Sequence, residues 1–184
     1  MRNIVAAIGV LCVICLWCNR CMAGPYDQQR VAVLPFVDRA VIHDGVNRQI
    51  DLSNVSRWVG DLLGERREFD FYMVDREDID KIIEEQSLNN SDFFDPSTAS
   101  RFGKLVGAQY VVVGSLTGVS RKGGKLVSHV YVRIIEVETG HVYLSGRGNG
   151  VAEDLYTSLE NAADDAVLGK RGILARYRNK GGIT

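Results

Sequence analysis

Apolar and polar residues alternate along the chain with two periods, one typical of strands and one typical of helices. Arg30 to Asp38 is short and almost wholly apolar, so it predicts a buried strand that Pro35 bends. From Ser53 to about Arg66, apolar residues recur every three or four positions and predict a helix with one buried stripe. Phe69 to Val74 predicts a second strand, and Asp75 begins a second helix whose charged residues form a solvated face.

The stretch from Asp95 to Gly118 predicts the structural centre of the domain. Asp95 can cap a helix that carries Pro96 in its first turn, where a missing N–H costs nothing. Gly107 can adopt the left-handed conformation that ends a helix, and Tyr110 to Val113 then predicts a buried strand. Three apolar residues of this helix are expected on one buried face: Phe102, Leu105 and Val106.

Two tight turns divide the next part of the chain into three strands. Gly123-Gly124 and the segment Glu138 to His141 are the turns, and they predict a meander of antiparallel strands. The strands are expected at Tyr110 to about Arg121, Leu126 to Val137 and Val142 to about Val151. In the middle strand, Val130, Val132 and Ile134 face one way, and Tyr131, Arg133 and Ile135 face the other. One face of the meander is therefore predicted to be core and the other mixed.

The end of the chain combines a glycine-rich segment with a long helical pattern. Gly146 to Gly150 lacks the spacing of a dinucleotide-binding fingerprint, so we interpret it as a bulged or bent strand end. Glu153 to about Arg178 predicts a helix, with Gly169 and Gly172 as the positions where it would break. The order β-α-β-α-α-β-β-β-α predicts one α/β (α+β) domain, with a mixed sheet of about five strands flanked by helices.

Composition agrees with one globular domain behind an export signal. The chain has 184 residues, of which 46% are hydrophobic and 24% are charged. Arg2 precedes an unbroken apolar run from Ile4 to Trp17, which is short for a membrane span. Residues 1–23 therefore predict a signal peptide cleaved between Ala23 and Gly24, with an uncleaved anchor as the alternative.

The cysteines all belong to this predicted leader: Cys12, Cys15, Cys18 and Cys21. Their spacing imitates an iron–sulfur motif, but a cluster could not assemble inside a segment that is exported. A lipid-attachment cysteine needs a small residue directly before it, and none of the four has one, which disfavours lipidation. The mature chain is thus expected to carry no disulfide and no thiol chemistry.

Charge argues against nucleic-acid binding. The full chain has 22 basic and 23 acidic residues, and cleavage after Ala23 removes Arg2 and Arg20 but no acidic residue. The mature chain is then slightly acidic, whereas binding to phosphates needs a basic surface.

The sequence contains no motif that we interpret as catalytic, cofactor-binding or metal-binding. It has neither a phosphate loop nor a nucleophile elbow, and its three histidines, His43, His129 and His141, do not have metal-ligand spacing. We therefore predict that the protein is not an enzyme and has no cofactor. The candidate contact residues lie in a long polar loop and on the mixed strand face, where Tyr and Arg are typical of binding hot spots: His43, Arg48, Tyr131 and Arg133.

Several segments together resemble the CsgG/HfaB family of bacterial envelope proteins. They are RVAVLPF, FDFYMVDREDIDKIIEEQ, DPSTASRFGKLVGAQYVVVGSLT and VYVRIIEVETGHVYLSGRGNG, in this order between Arg30 and Gly150. The resemblance implies a fold related to TolB N-terminal and LpoB-type domains. It also implies a short lead-in at 24–29 and a periplasmic domain at 30–180.

The resemblance further implies a non-enzymatic protein that acts in envelope assembly or secretion by binding other envelope proteins. Pore-forming members carry two long membrane hairpins, but here only Arg121 to Lys125 lies between the first two meander strands. A pore subunit is thus one alternative, and an LpoB-like regulator of a peptidoglycan synthase is another. Homo-oligomerisation is left open, membrane contact is expected to be peripheral at most, and the expected location is the periplasm, with outer-membrane association left open.

Overall fold

The computed structural model describes residues 28–42 and 51–181. The predicted leader with its cleavage site at Ala23 and Gly24 lies outside the described residues, as do the loop residues His43 and Arg48.

Strands and helices follow one another along the described chain in an order close to the predicted one. They are β1 (Gln29–Val33), β2 (Val37–Ile42), α1 (Ser53–Gly64), β3 (Phe71–Met73), α2 (Arg76–Glu85), a 3₁₀ helix (Asn90–Phe94), α3 (Pro96–Leu105), β4 (Tyr110–Lys122), β5 (Lys125–Glu136), β6 (Val142–Ala152), α4 (Leu155–Leu168) and α5 (Ile173–Asn179).

The strands form one mixed sheet flanked by helices, which confirms the predicted fold class. The strand order is β3-β1-β4-β5-β6, and β2 also pairs with β4. The β1–β3, β1–β4 and β2–β4 pairs are parallel, while the β4–β5 and β5–β6 pairs are antiparallel. The first predicted strand is in fact two strands, β1 and β2, because Pro35 has no N–H to continue the ladder.

Helix ends follow the local signals that the sequence carries. The carboxylate of Asp75 accepts a hydrogen bond from the N–H of Glu77 at 2.9 Å, and Asp95 accepts one from the N–H of Thr98 at 2.9 Å. Gly107 has a φ of +64°, as expected for a residue that ends a helix. The expectation of a buried Leu105 is wrong, since 56% of it is exposed. The buried stripe of α3 runs through Ala99, Ser100, Phe102, Gly103 and Val106, and Leu105 lies beside it.

Two hydrophobic cores lie on opposite faces of the sheet. Helices α1, α4 and α5 cover the first, which contains Val59, Val112, Val132 and other apolar residues. Helices α2 and α3 and the 3₁₀ helix cover the second, which is smaller and includes Ile79, Phe93, Phe102, Val111 and Ile135. The sheet is therefore the middle layer of three.

The glycine-rich segment of β6 packs very closely against helix α4. A Cβ added to Gly146, Gly148 or Gly150 would lie 2.0, 1.9 or 1.8 Å from a carbonyl oxygen of α4; these oxygens belong to Ala166, Ala162 and Ser158. The three glycines pair regularly with β5, so the interpretation of a bulged or bent strand end is wrong. Glycine is present because the helix backbone occupies the space of a side chain.

Hydrogen bonds from Ser158 add to this contact. The buried hydroxyl of Ser158 donates to the carbonyl oxygen of Gly150 at 3.0 Å and lies 2.9 Å from the hydroxyl of Ser128 on β5. One side chain of α4 thus joins two neighbouring strands beneath the helix.

The predicted long C-terminal helix is two helices, α4 and α5. The chain breaks between Gly169 and Gly172, the positions at which the sequence indicated a break. A Cβ at Gly169 would lie 2.4 Å from the carbonyl oxygen of Asp165, so the chain leaves the helix where only glycine fits.

We expect Gly148→Ala to lower the free energy of unfolding by about 3 kcal/mol or more, because α4 must move away from the sheet to admit the methyl group. Urea unfolding followed by circular dichroism would measure the change. Gly60→Ala in α1 is the matched control, since its Cβ would lie 3.5 Å from Val33, an ordinary contact. We expect that control to be neutral or stabilising by up to about 1 kcal/mol. Equal effects of the two substitutions would contradict this account of the contact.

We also expect Asp95 to make stability depend on pH. Hydrogen bonds from the hydroxyl of Ser97 and from the N–H of Thr98 hold the pKa of Asp95 below its ordinary value. Its charged form therefore stabilises the folded state above the unfolded-state pKa, and this contribution disappears as pH falls through the folded-state pKa.

Asp95→Asn keeps a capping oxygen without the charge, so we expect it to be less stable than the wild type near neutral pH. The difference should vanish in acid, as measured by thermal unfolding between about pH 2 and pH 7. A stability difference between the variant and the wild type that stays constant across this pH range would contradict the role of the Asp95 charge.

Candidate interaction surface

Among the described residues, helices cover only half of the sheet face that α2 and α3 share. The second core ends near the cross-strand pair Val113 and Arg133. Towards the β4–β5 turn, the side chains on this face change from buried to half-buried or exposed. We call this part the open face; it is formed by Val127, His129, Tyr131, Arg133, Arg147, Asn149 and Val151.

Strand register arranges the open face in rows. Tyr131 lies between Ser115 on β4 and Arg147 on β6, and His129 lies between Gly118 and Asn149. Cross-strand partners share one face of a sheet, so each row brings side chains from three strands together. The glycines of β6 alternate with Arg147 and Asn149, which places these polar residues on the side away from α4.

Tyr131 contacts an arginine on each side. The guanidinium carbon of Arg147 lies 5.4 Å from the centre of the Tyr131 ring, and that of Arg133 lies 5.9 Å from it. A cation over an aromatic face contributes roughly 0.5–1 kcal/mol at an exposed site. The ring thereby orients both guanidinium groups on the open face.

Arg133 is much more buried than the sequence indicated, with only 9% of it exposed. It lines a cleft with residues of β2 and the start of α3, among them Arg39 and Asp95. Burial lowers the pKa of Arg133 from its ordinary value; Tyr131 opposes this shift, Arg39 adds to it, and Asp95 opposes it. The side chain of Arg133 therefore forms the floor of the open face rather than a freely exposed contact.

His129 is held in place by neighbours on both adjoining strands. Its Nδ1 lies 2.6 Å from Oδ1 of Asn149, and its carbonyl oxygen accepts a hydrogen bond from the Thr117 hydroxyl at 3.1 Å. Gly118 leaves room for the ring, since a Cβ there would lie 3.2 Å from Cδ2 of His129. The histidine is thus part of a fixed polar surface.

The outer edge of β6 is protected by side chains of the two C-terminal helices. Asp165 accepts a hydrogen bond from the N–H of Asn149 at 3.0 Å, and Lys180 donates to the carbonyl oxygen of Tyr143 at 2.8 Å. Asn161 donates to the carbonyl oxygen of Val151 at 3.4 Å. These bonds occupy backbone groups that a strand added to this edge would need. A partner is therefore expected to bind the open face and not the edge of β6.

The structure brings together two of the four predicted contact residues, Tyr131 and Arg133. Sequence reasoning missed Arg147 and Asn149, and it considered His129 only as a metal ligand. The sequence signal for these two residues is the alternation of glycine and polar residues from Gly146 to Gly150. From the sequence alone, this segment is interpreted as a bulged or bent strand end. If the segment is instead a regular strand, this alternation places Arg147 and Asn149 on the same face, beside Tyr131.

A second concave site lies outside the carboxyl ends of β1 and β3, between α1 and α2. It has a volume of about 370 Å³, with Val33 and Met73 among its apolar residues and Arg57 and Asp61 among its charged ones. Arg76 pairs there with Asp80 at 3.0 Å and donates to the carbonyl oxygen of Val33 at 3.3 Å. The charges of this cleft are balanced, so it shows no preference for a charged ligand.

Within residues 28–42 and 51–181, no group of three or more His, Cys, Asp or Glu side chains could hold a metal ion. In the same residues, no helix has the length and apolar character needed to cross a membrane.

Solved structures that are similar to this chain include bacterial proteins. The solution structure of Escherichia coli LpoB superposes with a TM-score of 0.52 at 18% identity, covering 68% of this chain and 57% of that one. The LpoB C-terminal domain from Salmonella enterica gives a TM-score of 0.47 at 20% identity, covering 69% of this chain and 85% of that one. A lipoprotein from Neisseria meningitidis, GNA1162, gives 0.45 at 15% identity, with 83% and 96% covered. At 18% identity, the likeness to Escherichia coli LpoB concerns the fold alone.

No curated protein sequence matches the chain. The family described as "Curli production assembly/transport component CsgG" does match, over residues 22–169. This range includes every strand of the sheet and most of the helices that flank it. The fold and the family agree with the resemblance found in the sequence, and the chain belongs to the CsgG family.

Proposed function

We propose that this protein is a non-enzymatic component of the cell envelope that acts by binding other proteins through its open face. It is exported across the inner membrane and works in the periplasm, at the outer membrane, in assembly or secretion. Membership of the CsgG family supports this role, since the family is described as a component of curli assembly and transport.

The open face is the observation that carries the proposal. A sheet in a three-layer domain is normally covered on both sides, and the half that no described helix covers offers surface for a partner. Tyr131 and Arg147 are of the residue types that dominate binding energy at interfaces, and Val151 adds an apolar side chain that is 52% exposed. The surface is also stiff, because its side chains stand on β5 and β6, which are paired with each other, and β5 is paired with β4 on its other side.

The chemistry of the open face suits recognition better than catalysis. The ring nitrogen of His129 faces the amide of Asn149, a group that does not exchange protons near neutral pH. Arg147, which lies on the Tyr131 ring and is exposed, can bind a carboxylate by paired hydrogen bonds, and it does not act as an acid or a base.

Short connections favour a binding module over a pore subunit. Gly123 and Gly124 close the β4–β5 hairpin as a two-residue turn, with φ of +58° and +82°. Only Glu153 and Asp154 link β6 to α4. These two short connections stand at the places where pore-forming members of the family are expected to carry membrane hairpins.

Photo-crosslinking in cells tests the contact surface. We expect benzoylphenylalanine at Val151 to give a discrete crosslinked product with an envelope protein, because this side chain lies on the open face. The product would be identified by mass spectrometry. A peptidoglycan synthase in the product would assign the protein to the regulatory alternative.

Tyr156 on α4 is the matched control, since it is 56% exposed but lies on the other side of the sheet. We expect no discrete product from that position. Products of equal yield from both positions, or none from Val151, would overturn the proposed surface.

Export has its own test. We expect the protein from the periplasmic fraction to begin at Gly24, because cleavage after Ala23 removes the apolar leader. Intact-mass measurement of the purified protein would show this. A chain that retains Met1 in the membrane fraction would instead support the uncleaved anchor.

A further inference from the structure

We propose that the cleft between α1 and α2 binds a dipeptide that has free ends and aliphatic side chains. The cleft lies outside the carboxyl ends of β1 and β3 and has a volume of about 370 Å³. It shares no residue with the open face, so this inference goes beyond the proposed function and does not depend on it.

The topology of the sheet places the cleft where ligands of α/β sheets bind. Strands β1 and β3 are parallel neighbours. From β1 the chain continues through β2 to α1, which packs on the first core, whereas β3 leads to α2, which packs on the second core. Two neighbouring strands thus lead to helices on opposite faces, and a crevice opens between those helices. In open α/β sheets, ligands bind outside the carboxyl ends of the strands at such a switch point.

The interior of the cleft is mostly apolar. Val33, Val74 and Ile79 are buried residues that line it, and the half-buried Met73 lies beside them. Pockets for small ligands combine apolar walls with a few polar groups, and about 370 Å³ is near the lower end of their usual volume. The occupant is therefore small and carries aliphatic groups.

Two exposed side chains of opposite charge, Arg57 and Asp61, line the cleft from α1. Arg76 and Asp80 also line it, but these two are paired with each other at 3.0 Å. A ligand with a net charge gains no advantage from such a balanced site, whereas a ligand with one charge of each sign can bind both groups. Gly60 lies between Arg57 and Asp61 on the same wall and leaves that wall open.

The spacing of the two charges favours a dipeptide over a single amino acid. Arg57 and Asp61 are four residues apart on α1, which corresponds to a rise of about 6 Å. The amino nitrogen and the carboxyl carbon of an extended dipeptide are also about 6 Å apart, because one Cα–Cα distance and two further bonds separate them. In a single amino acid the same two atoms are only about 2.5 Å apart.

The direction of α1 orients the ligand. Ser53, the first residue of the helix, lines the cleft, and the helix dipole favours negative charge at this end. Arg57 is the nearer charge and can bind the carboxylate by paired hydrogen bonds, while Asp61 accepts hydrogen bonds from the ammonium group. The pKa of Asp51 lies below its ordinary value, mainly because Ser53 donates hydrogen bonds to it, and the charge of Arg57 adds to this shift. Asp51 therefore attracts the Arg57 guanidinium towards the amino end of α1.

An NMR titration of the purified, ¹⁵N-labelled protein with leucyl-leucine tests this inference. We expect saturable shifts at residues of α1 and α2 around the cleft, with a dissociation constant of about 0.1–1 mM. N-acetyl-leucyl-leucine lacks the ammonium group and leucyl-leucinamide lacks the carboxylate, so each should bind at least about fivefold more weakly. Glycyl-glycine keeps both charges without the aliphatic side chains, and it should also bind more weakly.

Two variants assign each end of the peptide. Arg57→Gln should weaken leucyl-leucine at least about fivefold but leave leucyl-leucinamide unchanged, since that probe has no carboxylate to lose. Asp61→Asn should weaken leucyl-leucine similarly and leave N-acetyl-leucyl-leucine unchanged. Arg101→Gln, an exposed change on α3, is the matched control and should bind every probe like the wild type.

The absence of saturable shifts with about 10 mM leucyl-leucine would overturn the inference. Capped peptides that bind as tightly as the free one would also overturn it, and so would Arg57→Gln or Asp61→Asn if it bound every probe like the wild type. Crosslinking from Val151 reports on the open face alone, so none of these results would change the proposed function.

Discussion

The contact between β6 and α4 decides how the rest of the domain is arranged. Three glycines bring the backbone of the helix so close to the strand that no side chain, not even a methyl group, fits between them. Helix α4 therefore lies flat on the end of the meander, and the hydroxyl of Ser158 joins it to the strands beneath. The first core depends on this contact, since the buried alanines of α4 pack against Val130 and Val132 only at that distance.

The same contact explains why the opposite face is polar. Side chains alternate along a strand, so every glycine that faces α4 places its neighbour on the other side. Arg147 and Asn149 occupy those positions, and they meet Tyr131 and His129 of β5 across the ladder. Helix α3 covers this face only as far as Arg133. The remaining surface combines a rigid backbone with cationic and aromatic side chains. These properties suit the protein-contact surface that we propose for this member of the CsgG family.

Basic and acidic residues are concentrated in different elements, although the net charge of the whole chain is close to zero. The full sequence has a net charge of −1, yet the long strands of the meander are basic and helix α2 is acidic. The overall charge therefore does not describe the local charge of either element.

Local signals let the sequence by itself determine the fold class, the helix caps at Asp75 and Asp95, the glycine stop at Gly107 and the turn at Gly123-Gly124. Each of these depends on a few neighbouring residues and on backbone geometry that only some residue types adopt. Strand periodicity also placed Tyr131 and Arg133 on one face of the sheet, as the structure has them.

Only the tertiary structure decided the division of the first strand into β1 and β2, the exposure of Leu105, the burial of Arg133 and the purpose of Gly146 to Gly150. These properties depend on elements far apart along the chain, such as the backbone of α4 over β6 or the start of α3 beside Arg133. A glycine in a strand looks the same in sequence whether it bends the strand or admits a helix, because the difference lies in the neighbour that packs against it.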